Sequence, residues 1–377
     1  MTLLLLLALT AQGGPAADIV VRAQRTGAAL AECLAKTCPV PDDVRLSIAR
    51  AELQFAQGDY REARDTLGRS IARNRPAAKQ YPRMVAALYE ASGTVNRHYG
   101  DMEANRRAMI GQAKTLRDNL PENDPQVLLL NIDLGDYYAH RGDWHEAERL
   151  YAASEKGYAA RGEGRLAALS GLRGAFMALS RNNRDLSEAR LRAVLQMPAA
   201  SDPAVAQLGA VLDARIAASR GDQSGIDALV ARLRTDPVAP PVLLHEDRAV
   251  LHPGQGTAND AIRYVQRDIN AARSGDMSPL QWADIGFLVT RDGSVSDVQI
   301  LRGNRQLGWT APYLKQVESR RYAPLALAAG EPGRYRIERF TLRAPLRVPI
   351  GSLIRQRGGA PEVEVLDLTK MDATPPA

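Results

Sequence analysis

The stretch Gly142-Asp143-Trp144-His145-Glu146-Ala147 decides the fold, because the chain repeats its pattern at a fixed interval. Related copies start at Gly58-Asp59-Tyr60, Gly100-Asp101-Met102 and Arg184-Asp185-Leu186, each 42 residues from its neighbour. Gly can take the left-handed conformation that ends a helix, and Asp can then cap the next helix. A repeat of this length is typical of stacked helical hairpins. The first two-thirds of the chain is therefore predicted to be a helical array, a class that binds partners far more often than it catalyses.

The copy around Gly142 also carries its flanking pattern most completely. Leu134, Gly135 and Tyr138 precede the corner, and Ala147 and Tyr151 follow it at helical spacing. Small residues stand where two helices must approach closely, and the larger ones face inward. This spacing resembles the tetratricopeptide repeat, which implies an α-solenoid of helical hairpins. The copy around Gly58 matches in part, with Ala63 after its corner; Ala189 takes that place in the fourth copy.

Proline and the corner motifs set the predicted boundaries of the helices. Prolines such as Pro82, Pro125 and Pro203 fall where proline is tolerated, between hairpins or at the start of a helix. The predicted helices are 18–33, 42–57, 60–74, 82–99, 102–118, 125–141, 144–161, 164–181, 186–196, 203–220 and 223–234.

After Thr235 the pattern changes, and from Ile285 the apolar residues alternate with a period of two. Two alternating runs, 285–289 and 295–300, flank Asp292-Gly293, which is a strong hairpin signal. A helix is predicted at 309–320 and a third strand at 335–342. An extended segment at 242–251, a helix at 259–273 and two strands at 353–356 and 362–368 complete the prediction.

This order of strand, turn, strand, helix and strand resembles the C-terminal domain of TonB-type energy transducers. The residues that carry the resemblance include Asp292-Gly293, the helix exit Arg321-Tyr322-Ala323-Pro324, and Arg339-Phe340-Thr341-Leu342. The resemblance implies a periplasmic domain that accepts an extended peptide along a free sheet edge. The strand at Arg334–Leu342 is the predicted edge. The chain departs from the family because it has neither a membrane-spanning N-terminal helix nor a long Pro-rich spacer.

The N-terminus and the cysteines favour export. The run Leu3–Leu9 is too short to span a bilayer and fits the apolar centre of a signal peptide, although no basic residue precedes it. Cys33 and Cys38 have four residues between them and are predicted to form a disulfide in an oxidising compartment. A reduced pair in a cytosolic protein is the alternative.

Charge and motif content bear on what the chain binds. Residues 281–357 contain 13 Lys/Arg and 6 Asp/Glu, which gives this segment a net charge of +7. The whole chain has a net charge of +6, so the rest of it is close to −1. An anionic surface is compatible with this balance, as is a solvated Arg-rich surface. The chain has no phosphate-binding loop and no G-x-S-x-G elbow. The histidines lack the spacing and carboxylate partners of a metal site.

The predicted contacts with partners lie on both halves of the chain. Exposed aromatics and arginines on the helices form a candidate peptide groove at Tyr89, Arg97, Tyr137 and Arg141. On the β module the candidates are Arg334, Arg336, Glu338 and Phe340. No cofactor, no metal, no catalytic residue and no nucleic-acid partner is expected.

The predicted fold is mixed α+β, and five segments follow one another along the chain. They are a signal peptide (1–17), a tetratricopeptide-like helical repeat domain (18–235), a linker with an extended segment and one helix (236–280), a TonB C-terminal-like domain (281–369) and a disordered tail (370–377). The predicted function is an exported, non-catalytic binding protein of the Gram-negative periplasm. Its partner would be a protein or peptide, such as an outer-membrane transporter, or a cell-wall polymer. The alternatives are a cytoplasmic helical-repeat scaffold and an envelope hydrolase.

Overall fold

The structure is a computed structural model, and it describes most of the helical region and the sheet. The described residues are 15–220, 241, 243–247, 249, 280–304, 307–325, 327–328, 330–348, 354, 356–357 and 362–369, with only the backbone at 15–24, 218 and 347. The predictions for the signal peptide, the helices at 223–234 and 259–273, and the tail at 370–377 fall wholly or largely outside these residues.

The helical region runs from Pro15 to Ala218, and its helices agree with the predicted ones to within three residues. They are α1 (Pro15–Ala35), α2 (Val40–Gln57), α3 (Tyr60–Asn74), α4 (Pro82–Tyr99), α5 (Met102–Asn119), α6 (Pro125–His140), α7 (Trp144–Ala160), α8 (Gly164–Ser180), α9 (Arg184–Leu195) and α10 (Pro203–Ala218). The chain divides into two compact units after Asn119, so α1–α5 lie in the first unit and α6–α10 in the second.

Three of the four predicted corners have the geometry that the Gly-Asp pairs predict. Gly58, Gly100 and Gly142 have φ between +79° and +85°, and each ends a helix. The following aspartates cap the next helix in two cases: Asp101 Oδ1 accepts from the Ala104 amide at 2.9 Å, and Asp143 Oδ1 accepts from the Glu146 amide at 3.3 Å.

The fourth corner lies two residues earlier than predicted. Asn182 takes the left-handed conformation at φ +59°, and Asn183 caps α9 by accepting from the Leu186 amide. Asn tolerates this conformation better than other residues with a side chain, because its short polar group can bond locally. The third and fourth corners, at Gly142 and Asn182, are therefore 40 residues apart and not 42. The predicted fourth copy, at Arg184, was placed two residues too late.

The corrected register also identifies the small buried residue of each second helix. Ala63, Asn105, Ala147 and Ser187 each occupy the fourth position of their helix, and all are buried. The predicted Ala189 is exposed. Gly135 on α6 lies directly beneath the Tyr151 ring of α7, where a Cβ would overlap the ring. Close helix packing thus explains the small residues of the repeat.

The β module lies in the second unit and is built around a four-stranded antiparallel sheet. Its strands within the described residues are β1 (Leu243–His245), β2 (Gln281–Thr290), β3 (Val295–Gly303), β4 (Arg321–Tyr322), β5 (Gly333–Arg343), β6 (Leu346–Arg347), β7 (Gln356–Arg357) and β8 (Glu362–Asp367). The sheet order is β3-β2-β5-β8, and the pairs β1-β4 and β6-β7 are separate. Helix α11 (Ala311–Ser319) covers one face, where Val317 and Tyr313 pack on Ile285, Phe287 and Phe340.

The predicted edge strand is wrong. Residues 334–342 belong to β5, which pairs with β2 along its whole length and with β8 from Glu338 to Arg343. The outermost strands of the described sheet are β3 and β8. The prediction failed because the short strand β8, which follows a Gly-rich segment, was not placed beside β5.

The helices and the β module meet inside the second unit. Val211 of α10 packs with Ala323, Phe176 and Leu244. Arg215 also donates from Nη2 to the Leu244 carbonyl at 3.4 Å. The fold is thus mixed α+β, with a largely helical first part and a small antiparallel sheet near the C-terminus.

Candidate functional site

A cleft of about 660 Å³ opens between α1, α2 and α3 in the first unit. Its lining combines apolar residues of α1 with polar and basic residues of α2 and α3. The lining residues are Gly27, Leu30, Ala31, Leu34, Arg50, Gln54, Gln57, Thr66, Arg69 and Arg73. Its volume lies in the range of about 300–1,000 Å³ that is typical of ligand sites.

The helical period brings these residues to one side of each helix. Arg50, Gln54 and Gln57 are spaced by four and three residues on α2, and Thr66, Arg69 and Arg73 by three and four on α3. Each set therefore forms one stripe, and the two stripes face the same cleft.

The floor of the cleft is fixed by a buried hydrogen bond. Thr66 Oγ1 donates to Gln54 Oε1 at 2.9 Å, and both residues are more than nine-tenths buried. This bond joins α2 to α3 beneath the basic residues, so the floor is polar and held in place.

Arg73 is held by a buried carboxylate behind the cleft. Its Nε and Nη2 atoms donate to Asp43 at 2.8 and 2.6 Å, and Asn74 and two serines also donate to that carboxylate. Burial alone would raise the pKa of Asp43. The hydrogen bonds from Arg73, Asn74 and Ser47, together with the charge of Arg73, outweigh burial and lower it. The guanidinium of Arg73 is therefore oriented before any ligand arrives.

The other two arginines differ in their surroundings. Arg69 is exposed, and the described residues offer it no hydrogen bond and no ion pair. The Arg50 guanidinium lies against Gly27 of α1, about 3.3 Å from where a Cβ would stand, so glycine makes room for it. Among the described residues, the lining contains three cations and no acid.

A disulfide holds the apolar wall of the cleft. Cys33 near the end of α1 is bonded to Cys38 just before α2, and their Cα atoms are 4.9 Å apart. Leu30, Ala31 and Leu34 lie within one turn of Cys33, and Leu34 is 41% exposed. The disulfide therefore ties the end of α1 that carries this wall to the start of α2.

The predicted groove residues on the helices are divided between the two units. Tyr89 packs its ring on Gly111 between α4 and α5, and Arg97 is half-buried on α4 in the same unit. Tyr137 and Arg141 belong to the second unit, where the Arg141 guanidinium lies 5.7 Å from the centroid of the Tyr137 ring. Tyr89 therefore has a packing role, and Tyr137 and Arg141 form a local pair.

Two of the predicted β-module residues are buried. Phe340 is fully buried in the core, and Glu338 is 7% exposed and accepts from Arg320 Nη1 at 2.8 Å. Their prediction as partner contacts is wrong, because a bound peptide could not reach side chains covered by the fold. Arg336 binds Asp367 of β8 at 2.6 Å, and Arg334 lies 3.6 Å from Glu331.

The two outer strands of the described sheet differ in regularity. The pairing of β3 with β2 shifts register twice, and Asp297 in β3 has φ +52°. β8 pairs with β5 through six residue pairs without a shift. Bulges and irregular backbone hinder the addition of another strand, so β8 offers the better template.

The described residues contain neither a metal site nor a membrane-spanning helix. No group of three or more His, Cys, Asp or Glu side chains there has the geometry to hold a metal ion. Within the same part of the chain, every helix is too short or too polar to span a bilayer.

The cleft was not predicted from the sequence, because no single segment contains it. The spacing of 50, 54 and 57 and of 66, 69 and 73 was present as a signal, but it identifies one polar stripe per helix and not two stripes that converge. The third wall comes from α1, whose placement depends on how the disulfide corner folds.

No protein-family model matches the chain, and no curated protein matches it. Among solved structures, the chain is similar to BtubC (BKLC) from P. vanneervenii, with a TM-score of 0.48 and 16% sequence identity. The similarity covers 61% of this chain and 99% of BtubC. At this TM-score and identity, the similarity carries no functional inference.

Proposed function

We propose that this chain is an exported, non-catalytic binding protein whose helical hairpins hold a protein partner. The observation that carries the proposal is the open cleft on α1–α3, which is lined from three helices and has a fixed polar floor. A concave surface offers a partner more contact area than a flat one, and side chains held in place lower the entropy lost on association.

The finer fold assignments belong to this proposal. Left-handed corners followed by capping residues, with a buried small residue four positions later, support tetratricopeptide-like hairpins. The order β2, β3, α11, β5 supports a TonB C-terminal-like module. Export to the periplasm is supported by the Cys33–Cys38 disulfide, because disulfides persist in oxidising compartments. N-terminal sequencing of the mature protein tests export, and retention of Met1 would contradict it.

Photo-crosslinking tests the helical site in the full-length chain. A photoreactive residue at Leu34, on the rim of the cleft, should capture a protein from an envelope fraction. The control is the same residue at Ile110, which is 52% exposed on α5 and does not line the cleft. Equal adducts at both positions, or none at Leu34, would reject the cleft as the binding site.

A second binding mode is strand addition at β8, with an extended peptide as the partner. Because the Leu368 amide donates to the Ile337 carbonyl at 2.8 Å, alternation along the strand directs the amides of 363, 365 and 367 away from β5. These outward amides supply the donors that an added strand requires.

Proline at position 365 tests this mode without removing the pairing with β5. Val365→Pro should abolish crosslinking of an envelope peptide to β8, whereas Val365→Ala, which keeps the amide, should retain it. Proline is tolerated on edge strands when its missing amide would face outward. Retained crosslinking in Val365→Pro would contradict strand addition at this edge.

A further inference from the structure

The geometry points to an acidic protein segment with apolar side chains as the ligand of the cleft on α1–α3. This inference rests on the proposed function and names the class of partner. Carboxylates of the segment would meet Arg50, Arg69 and Arg73, and its apolar side chains would lie on Leu30 and Leu34 of α1.

The charge of the lining selects an anion. Among the described residues, the lining has three arginines and no acid. Asp43 behind the cleft pairs with Arg73, and the charge of Asp59 interacts with that of Arg50, so Arg69 is the lining arginine for which the described residues supply no acidic partner. Arg73 uses Nε and Nη2 on Asp43, which leaves Nη1 without a hydrogen bond to any described residue. Arg69 has its whole guanidinium available. Paired N–H groups of arginine match the two oxygens of a carboxylate, and such charge-assisted bonds are the strong ones.

The apolar wall favours a protein segment over a polyanionic polymer. Leu30, Ala31 and Leu34 form one side of the cleft, and Leu34 is 41% exposed. A phosphate backbone has no apolar groups to pack on such a wall, and no described residue of the lining is aromatic and could stack on a base. An amphipathic peptide places acids on one side and apolar side chains on the other, which matches the arrangement of the cleft.

One neutral side chain of the lining fits the same ligand. Gln57 lies at the end of the α2 stripe, is half-buried and can bond main-chain groups of a bound segment, whereas Gln54 and Thr66 bond each other in the floor. The lining thus offers separate places for carboxylates, apolar side chains and peptide groups.

Selection from a random peptide library on the full-length chain tests the inference. Enriched peptides should be richer in Asp and Glu than the input, and should carry apolar residues between the acids. Their affinity should fall by about fivefold in Arg69→Gln, the loss of one exposed charge-assisted contact, and stay unchanged in Arg61→Gln. Arg61 is the matched control because it is exposed on the same helix and does not line the cleft. Replacing each Glu of a selected peptide by Gln should also weaken binding, as should Leu34→Ser.

Four results would overturn the inference. These are enrichment of neutral or basic peptides, no enrichment at all, equal affinity for Arg69→Gln and Arg61→Gln, and stronger competition by polyphosphate or a single-stranded oligonucleotide than by the selected peptide. If a protein is still captured from position 34 under any of these results, the proposed binding function stands and only the ligand class fails. If that capture is also lost, both fail.

Discussion

Asp43 is the residue on which the geometry of the cleft depends most. It accepts hydrogen bonds from Arg73, Asn74, Ser47 and Ser70, and it thereby joins α2 to α3. Since the carboxylate is buried, removing its charge leaves donors without an acceptor, which costs more than the net value of the bonds. The hydrogen bonds of Asp43 therefore both stabilise the fold and orient Arg73.

We predict that Asp43→Asn lowers the free energy of unfolding by about 2–3 kcal/mol at neutral pH. The pKa of Asp43 is lower in the folded state, so the stabilisation is present above the unfolded pKa of about 3.9 and is lost as the pH falls through the folded pKa. The gap between wild type and variant should thus shrink on acidification below about pH 4. Urea denaturation across this range measures it, with the exposed Asp65→Asn as the control. A gap that is independent of pH would contradict the ion pair.

Gly293 and Gly330 differ in how much room their surroundings leave for a side chain. Both have a positive φ, +83° and +84°. A Cβ at Gly293 would overlap the Tyr322 carbonyl oxygen, whereas nothing lies within 4 Å at Gly330. Gly330→Ala should therefore cost about 1 kcal/mol for backbone strain alone, and Gly293→Ala about 3 kcal/mol or more. If thermal unfolding shows the same loss of stability for both variants, the turn at Gly293 does not pack against Tyr322 of β4.

At the scale of elements, the Cys33–Cys38 disulfide links α1 to α2. A loop this short should contribute about 2 kcal/mol to stability on the chain-entropy account. Because α1 supplies the apolar wall, reduction should also weaken peptide binding to the cleft. Titrations with and without reductant measure both effects, and the double variant Cys33→Ser/Cys38→Ser should be insensitive to reductant. Unchanged affinity after verified reduction would mean that α1 is held by other contacts.

The helices of the array could be predicted closely from local chemistry. The bounds 60–74 and 82–99 were predicted without error, because Gly58-Asp59 and Gly100 mark left-handed corners and Pro82 marks a helix start. The register at Asn182 was missed, since an Asn can replace Gly at such a corner and the fixed spacing drew attention to Arg184.

Contacts between elements were harder to predict. The strand at 335–342 was predicted, and it lies within β5. Its neighbour was not predicted, because β8 is six residues long and its pairing depends on register with a distant strand. The cleft was missed for a similar reason, since Leu30, Arg50 and Arg69 converge only after three helices have packed.

For the whole molecule, the division after Asn119 predicts two unfolding transitions. Domains generally unfold as separate cooperative units when each has its own core. Asp43→Asn should shift one transition in calorimetry, and Gly293→Ala the other. A single transition that both variants shift equally would show that the chain unfolds as one unit.

Hydrogen–deuterium exchange of the full-length chain, with and without a selected acidic peptide, locates the bound peptide. We expect slower exchange on binding in three segments, 27–34, 50–57 and 66–73. This protection should be reduced in Arg69→Gln and retained in Arg61→Gln. Bound peptide that leaves these three segments unchanged and protects others would contradict the cleft as the recognition site.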